Sequence, residues 1–335
     1  MRDGSGSTIG GKPVTTTVTI DLAGGQIGGA ARFRAEIRRY LERAARDDIK
    51  VIGAQRSLSP CWLAVREAVA ARGSRRIALN NVGFLTPGGE RWTLLRNHLH
   101  FLTKAEMIGL DPEMRSLVSR QITVVHRAAR RSDVLVAPCT AFAERVKAVL
   151  PEVAERVVVR MHPVSANPVP RMPGASLILC PVLFAPFKHM AERISDWIAS
   201  VDHILDESVR MIVTASPAEV PTALAANPRL HFVGRLDHQE LRRLWARSLA
   251  VYFPSGLEAF GWPLAEARVN GQAVIARDTP QNREIADTAL CAYTVGDQDS
   301  LLRATQLALA GGIVPDPAPF DPGAYFEWLL GDGKN

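Results

Sequence analysis

Apolar positions recur along this chain in two alternating rhythms. Short runs of strand length at residues 14–21, 49–53, 77–80, 134–137 and 157–161 are separated by stretches whose apolar residues return every three or four positions. The first such stretch, 30–46, predicts an amphipathic helix and follows a glycine-rich turn at 24–29. Residues 81–137 show little strand character. There the segment RWTLLRNHLHFLTKAEM places Trp92, Leu95, Leu99 and Leu102 near one helical face. A second set of strand-length runs follows at 177–181, 209–214, 230–233, 249–253, 273–276 and 290–295.

Strands alternating with helices predict parallel sheets joined by right-handed crossovers. With 335 residues the chain exceeds what one core usually supports, so the pattern divides into two Rossmann-like, doubly wound α/β domains. The division falls in residues 162–175, which hold four prolines and one glycine. The expected organisation is a disordered lead-in at 1–13, a first domain at 14–165, a second at 166–319, and a final helix at 320–335 that packs back on the first domain.

Within the second set of strands, residues 249–277 carry the most chemistry. An apolar strand leads into a loop with Gly256 and Gly261, and a helix then opens through Pro263. Glu258 stands in the loop, and Glu266 is expected in the first turn of the helix, with seven residues between them. A helix N-terminus carries free N–H groups and partial positive charge, which suit a phosphate. In a sheet of order 3-2-1-4-5-6 the first and fourth strands adjoin where ligands bind. The first strand of this domain leads to Lys188, and the fourth leads to Glu258. One crevice thus receives a lysine, two helix starts and two carboxylates, which would suit a diphosphate flanked by hydroxyls. Taken singly, each residue also reads as a surface charge or a helix-start acid. The histidines His98, His100 and His126 read as packing or surface residues, without metal-ligand spacing.

Composition narrows the partners. The formal net charge of +6 favours anionic ligands or an anionic membrane surface, and residues 91–107 are compatible with peripheral membrane contact. Neither a basic-aromatic strand pattern nor zinc-finger spacing supports nucleic acid as a partner. The four cysteines, Cys61, Cys139, Cys180 and Cys291, form no CxxC pair and are expected to be reduced. No run approaches the ~20 apolar residues of a membrane span, so a soluble, cytoplasmic protein is expected. Richness in alanine and arginine with little lysine suggests a GC-rich bacterial genome.

The block FPSGLEAFGWPLAEARVNGQAVIARDTPQNREI resembles the donor-binding signature of glycosyltransferase family 4, a group of retaining enzymes with the GT-B fold. Pro254, Ser255, Glu258, Phe260, Gly261, Pro263 and Glu266 carry the likeness. It extends upstream to HFVGRLDHQELRRLWARS and downstream to Glu284, and is visible again in GGAARFRAEI and SDVLVAPC.

This resemblance implies two Rossmann-like domains facing each other across a cleft. It also implies transfer of a hexosyl-type sugar from a nucleotide diphosphate sugar to an acceptor hydroxyl with retained configuration, without a metal or other cofactor. The acceptor would be a glycan, a lipid-linked molecule or a small molecule, in polysaccharide or natural-product biosynthesis. Lys188 would neutralise the diphosphate and Glu258 would contact donor-sugar hydroxyls, as the catalytic pair. Glu266 would hold the ribose, with Phe260, Gly261, Trp262 and Leu264 around the donor. Gly28 and Gly29 would approach from the first domain, and the base would lie near Gly234 and Arg235. The chain departs from the family pattern at Leu183, where an arginine is usual, and at Asn80 and Asn81, where a histidine is common. Ala259 and Trp262 are further departures. Two alternatives stay open on these residues: a nucleotide-sugar epimerase of the same fold, and a catalytically weak sugar-nucleotide binding protein.

Overall fold

The computed structural model describes residues 18–26, 28–166, 177–182, 184, 188–202 and 204–331. The expected lead-in at 1–13, Leu183 and most of the proline-rich stretch lie outside them.

Among the described residues, twelve short strands form two six-stranded parallel sheets. The first holds β1 (Val18–Asp21), β2 (Ile49–Ile52), β3 (Arg75–Ala78), β4 (Arg91–Leu94), β5 (Val134–Ala137) and β6 (Val157–Val159), in the order β2-β1-β3-β4-β5-β6. The second holds β7 (Leu177–Cys180), β8 (Arg210–Val213), β9 (Leu230–Phe232), β10 (Ser248–Phe253), β11 (Ala273–Arg277) and β12 (Leu290–Tyr293). Its order, β12-β11-β10-β7-β8-β9, puts β7 beside β10, as the predicted switch point requires.

In the first half, α1 (Gly28–Ala44), α2 (Pro60–Val69), α3 (Lys104–Ile108), α4 (Pro112–Arg131) and α5 (Thr140–Val149) connect the strands. In the second half these are α6 (Met190–Val201), α7 (Thr222–Ala225), α8 (His238–Arg247), α9 (Trp262–Asn270), α10 (Pro280–Ala286), α11 (Gln298–Ala310) and α12 (Pro322–Leu330). Among the described residues, no helix is long and apolar enough to cross a membrane.

One expectation is corrected. Residues 91–94 are a strand, not the start of a long helix, and His98–Phe101 is a single 3-10 turn. β4 lies between β3 and β5, so Trp92, Thr93 and Leu94 are all buried. Thr93 is tolerated inside because its hydroxyl is 2.7 Å from that of Ser132. The helical spacing of Trp92, Leu95, Leu99 and Leu102 arises where a strand and a turn happen to continue one apolar rhythm. Helix α1 also begins earlier than its pattern suggests, inside the glycine stretch.

At the C-terminal edge of β1, a buried network fixes the loop that leads to α1. Asp21 is wholly buried and accepts from Arg66 Nη1 at 2.7 Å, Asn80 Nδ2 at 3.0 Å and Trp62 Nε1 at 3.1 Å. Removing one partner of such a buried pair strands the other charge, typically costing about 3–5 kcal/mol. Asn80 therefore pins the ends of β1 and β3 together.

The last helix opens at Asp321, whose side chain accepts from Ala324 N at 2.6 Å, with Pro322 in the first turn. Its apolar face meets α1: Phe326 lies 5.8 Å from Phe33 and 5.2 Å from Tyr40, and Tyr325 lies 5.7 Å from Phe33. Arg75 bonds the closing carbonyls of Leu329 and Gly331 and stacks on Trp92, which itself meets Trp328. Replacing Phe326, which is fully buried, in Phe326→Ala is expected to remove about 3–5 kcal/mol of stability. Urea melts check this; an unchanged midpoint would mean that the helix does not hold the first sheet.

Candidate functional site

The site forms where β7 and β10 end. Beyond β7 the chain reaches Lys188, then His189 in left-handed backbone at φ 50°, and α6 starts. A non-glycine residue there is uncommon and turns the chain sharply just after the lysine. Lys188 Nζ lies 2.6 Å from Glu258 Oε1, in the loop after β10. Ser255 Oγ donates to the same oxygen at 2.9 Å. The two charged side chains keep about a fifth of their surface open, 19% for Lys188 and 24% for Glu258. The pair is thus partly desolvated yet reachable by a ligand.

Helix α9 starts beside this pair. Gly261 is its N-cap at φ 85°, and a side chain there would press on Leu264 and Phe253. In its first turn Pro263 has no N–H and Leu264 N donates to Gly261 O at 3.0 Å, so the Trp262 amide is the one left without a helical acceptor. The helix begins at Trp262, one residue before Pro263, so Glu266 falls just beyond the first turn and no acidic residue faces the helix start. This corrects the expected position of Glu266. Instead, Glu266 Oε1 pairs with Arg32 Nε of α1 at 3.1 Å, while Oε2 is buried without a hydrogen-bond partner. Burial raises its pKa against the pull of Arg32.

The other residues expected around the donor have the following surroundings. Phe260 and Trp262 turn their rings into an aromatic seam: Phe260 is 4.9 Å from His162 and 6.3 Å from Phe320, and Trp262 stacks on His162 at 5.9 Å. Leu264 is fully buried in the core. Gly29 packs so closely on the Trp262 indole that any side chain would overlap it. Gly28, at φ +60°, is the first residue of α1. Gly234 N donates to Ala215 O at 2.9 Å, and open space lies where its side chain would be. Gly234 and Arg235 follow β9, two strands from β7, or roughly 10 Å along the sheet edge.

His98, read from the sequence as a packing or surface residue, is buried close enough to feel the charges of the site. His98 follows β4, and its protonation responds to Glu258, Lys188 and Arg145. Burial dominates and lowers its pKa to about 4; Glu258 opposes the shift. Nε2 is buried and unpartnered. The loop that carries it is held by Asn81 in left-handed backbone at φ 66°. Asn81 Oδ1 accepts from Arg96 N at 2.5 Å and Asn97 N at 3.1 Å, and Asn97 Oδ1 accepts from Leu99 N at 3.1 Å. Recognising residues 91–94 as a strand would have placed RNH at its C-terminal edge, where parallel sheets put ligand groups.

The walls are also tied directly. Glu284 of α10 accepts from Thr140 N at 2.8 Å and Thr140 Oγ1 at 2.9 Å, closing the N-terminus of α5. Cys139 Sγ bonds the carbonyl of Ala259, next to Glu258, at 3.5 Å. A carboxylate from one half thus meets a helix start in the other.

Comparison with known proteins follows this geometry. Residues 221–314 match the family model for glycosyl transferases group 1. No curated protein matches the chain. Among solved structures it is similar to a sucrose-phosphate synthase from Thermosynechococcus elongatus, at 15% identity over 94% of this chain and 96% of that one, with a TM-score of 0.63. WaaG, a glycosyltransferase involved in lipopolysaccharide biosynthesis, gives 16% identity over 92% and 94% and a TM-score of 0.61. A glycosyltransferase from Rickettsia africae gives 13% over 95% and 94% and a TM-score of 0.60. The chain has the GT-B fold, and the family match lies within its second half.

The depressed pKa of His98 has a consequence for stability. Between about 4 and the ordinary value of 6.5 the unfolded chain binds its proton more readily than the folded one. Stability conferred by neutral His98 is therefore lost as pH falls through that window. His98→Gln is expected to lose less stability than the native chain between pH 7 and pH 5 in urea melts. Equal losses would show that His98 is not held neutral.

Proposed function

We propose that this chain is a retaining glycosyltransferase that moves a sugar from a nucleotide diphosphate sugar to an acceptor hydroxyl. The observation that carries the reading is the Lys188–Glu258 pair, 2.6 Å apart where β7 and β10 adjoin beside the start of α9. A cation and the positive end of α9 suit a departing diphosphate, and a carboxylate held by Ser255 suits sugar hydroxyls.

In the reaction, the bond from the sugar's anomeric carbon to phosphate oxygen breaks and a bond to the acceptor oxygen forms on the same face. The leaving phosphate oxygen takes the acceptor proton, so no protein base is needed. Lys188 and the α9 N-terminus meet the charge that grows on the diphosphate, and this reading assigns no step to a metal. Neutral His98 faces the pair from the first wall and can bond a sugar or acceptor hydroxyl. Glu266 serves the ribose once its unpartnered oxygen gains a hydroxyl donor. Water exclusion between the walls favours transfer over hydrolysis. Glycan, lipid-linked and small-molecule acceptors all fit this chemistry, with synthesis of a polysaccharide or natural product as the setting.

The test is release of nucleoside diphosphate from a panel of nucleotide sugars, with and without candidate acceptors. Lys188→Ala and Glu258→Ala are each expected to lower transfer at least about tenfold, the scale of a lost charged contact in a site, with unchanged melting curves. Undiminished turnover in either variant would remove that residue from the site. Sugar interconversion without release would mark an epimerase, and binding without either reaction a sugar-nucleotide binding protein.

A further inference from the structure

Arg32 stands on the first wall, and the carboxylate it meets stands on the second. Its Nε lies 3.1 Å from Glu266 Oε1, so α1 and α9 are joined by an ion pair. The helix that carries Arg32 is anchored by the residues that follow it. Phe33 packs in an aromatic contact with His162, Arg34 donates to the carbonyls of Leu22, Gly24 and Ala54, and Glu36 accepts from Ser165 N at 3.3 Å. On α9, Asn270 Nδ2 donates to the Glu266 carbonyl at 2.7 Å.

Beside the pair, α1, α8 and α9 enclose a cavity of about 310 Å³, lined by Ala31, Ala35, Leu241, Trp245 and Asn270 as well as the pair itself. The small side chains of Ala31 and Ala35, on either side of Arg32 along α1, leave this space open. Glu266 Oε2 is buried with no hydrogen-bond partner, and so is Asn270 Oδ1. Two acceptors on one face of α9 are therefore unused next to a cavity, which calls for a ligand with hydroxyl or N–H donors.

The ionised form of Glu266 needs help in this place. Burial pushes its carboxyl above the ordinary range; Arg32 opposes the rise and Glu36 adds to it. The other charged groups that line the cavity are Arg39 of α1, paired with Glu36, and Arg242 of α8. Among the described residues, Arg32 is the cation in contact with the carboxylate. The contact also sets direction. With Oε1 held from the first wall, Oε2 is the oxygen left for a new donor.

We propose that Arg32 is a positioning residue for the nucleotide: from the first wall it turns the Glu266 carboxylate so that Oε2 can accept from a ribose hydroxyl. The inference rests on the transferase reading, in which Glu266 serves the ribose. It gives the first domain a part in recognising the nucleoside, because a carboxylate carried by the second domain takes its direction from a helix of the first. Without Arg32 the carboxylate rotates and gains a proton more readily, and a neutral carboxyl forgoes charge-assisted acceptance from a hydroxyl.

Calorimetry on native protein and Arg32→Met tests this. Uridine, guanosine and adenosine diphosphates are screened first. The one that binds native protein is then compared with its dideoxy analogue, which lacks both ribose hydroxyls, at pH 8 and pH 6. Arg32→Met is expected to bind the ribose-bearing diphosphate about tenfold more weakly, the scale of a lost hydrogen bond to a charged group, and to bind the dideoxy analogue as native protein does. The loss is larger at pH 6 than at pH 8, because removing the cation raises the Glu266 pKa further and its ionised form gives way as pH falls. Comparing variant with native protein at each pH cancels the titration of the ligand's own phosphate. Unchanged affinity in Arg32→Met overturns the proposal. So does an equal loss on both probes, which places Arg32 on the phosphates, and so does a loss of equal size at both pH values, which places it on the hydroxyls directly. Each of these leaves the transferase reading intact. A native protein that binds none of the diphosphates overturns both. Should Arg32→Met fail to fold, Arg32→Gln removes the charge while keeping a polar side chain, and the same outcomes decide.

Discussion

The aromatic seam between the two sheets is the constraint on which the site depends. Phe33 contacts His162 at 5.2 Å, and His162 contacts both Phe260 and Trp262, so three distant segments share one packed cluster. Each such ring pair contributes about 0.5–1.5 kcal/mol beyond its buried area. More important here is geometry. Phe260 and Trp262 flank Gly261, so the residues that lock the seam also set where α9 begins. Phe33 lies on α1, so the same cluster sets where the glycine loop stands. His162 is held neutral by burial, which lets an imidazole serve as a packing ring. The seam thus brings the wall with His98 and Arg96 to a fixed distance from the wall with Lys188 and Glu258.

Charge placement follows from that fixed distance. On the second wall, Lys188 and Glu258 compensate each other, and both stay partly exposed. Across the seam, Arg32 compensates one oxygen of Glu266 and leaves the other unpartnered. Arg96 has no such partner. Buried or half-buried charges are stable when paired, and those left incomplete mark where an external group can improve the arrangement. The incomplete positions, Glu266 Oε2, His98 Nε2 and the Arg96 guanidinium, are a carboxylate oxygen, an imidazole nitrogen and a cation. A molecule that carries hydroxyls can complete the first two.

Much of this was legible in the sequence, for definable reasons. Parallel strands buried on both faces leave short apolar runs, so eleven of the twelve strands announced themselves. The second sheet takes the common doubly wound order, 3-2-1-4-5-6, which is why Lys188 and Glu258, seventy residues apart, could be brought together on paper. β4 was hidden because its polar Thr93 breaks the apolar run while the flanking leucines keep a helical spacing. Losing β4 hid His98 and Arg96 as well, since their location depends on the strand that ends just before them. The ring directions of Phe260 and Trp262 were also out of reach. A motif fixes where the backbone turns, whereas partners such as His162, a hundred residues away, decide which way the side chains face.

The pairings within the cleft bear on what kind of molecule it can accept. A plain phosphate would draw Lys188 away from Glu258 and strand a carboxylate that Ser255 alone would then hold. A free sugar would offer hydroxyls to Glu258 and strand the lysine. Either half-ligand replaces one favourable contact with another and leaves an uncompensated charge behind. A molecule that bears a diphosphate next to a hydroxylated ring supplies both replacements at once. On the proposed reading, selectivity for an intact nucleotide sugar over its fragments therefore arises from ion pairs that must be exchanged together.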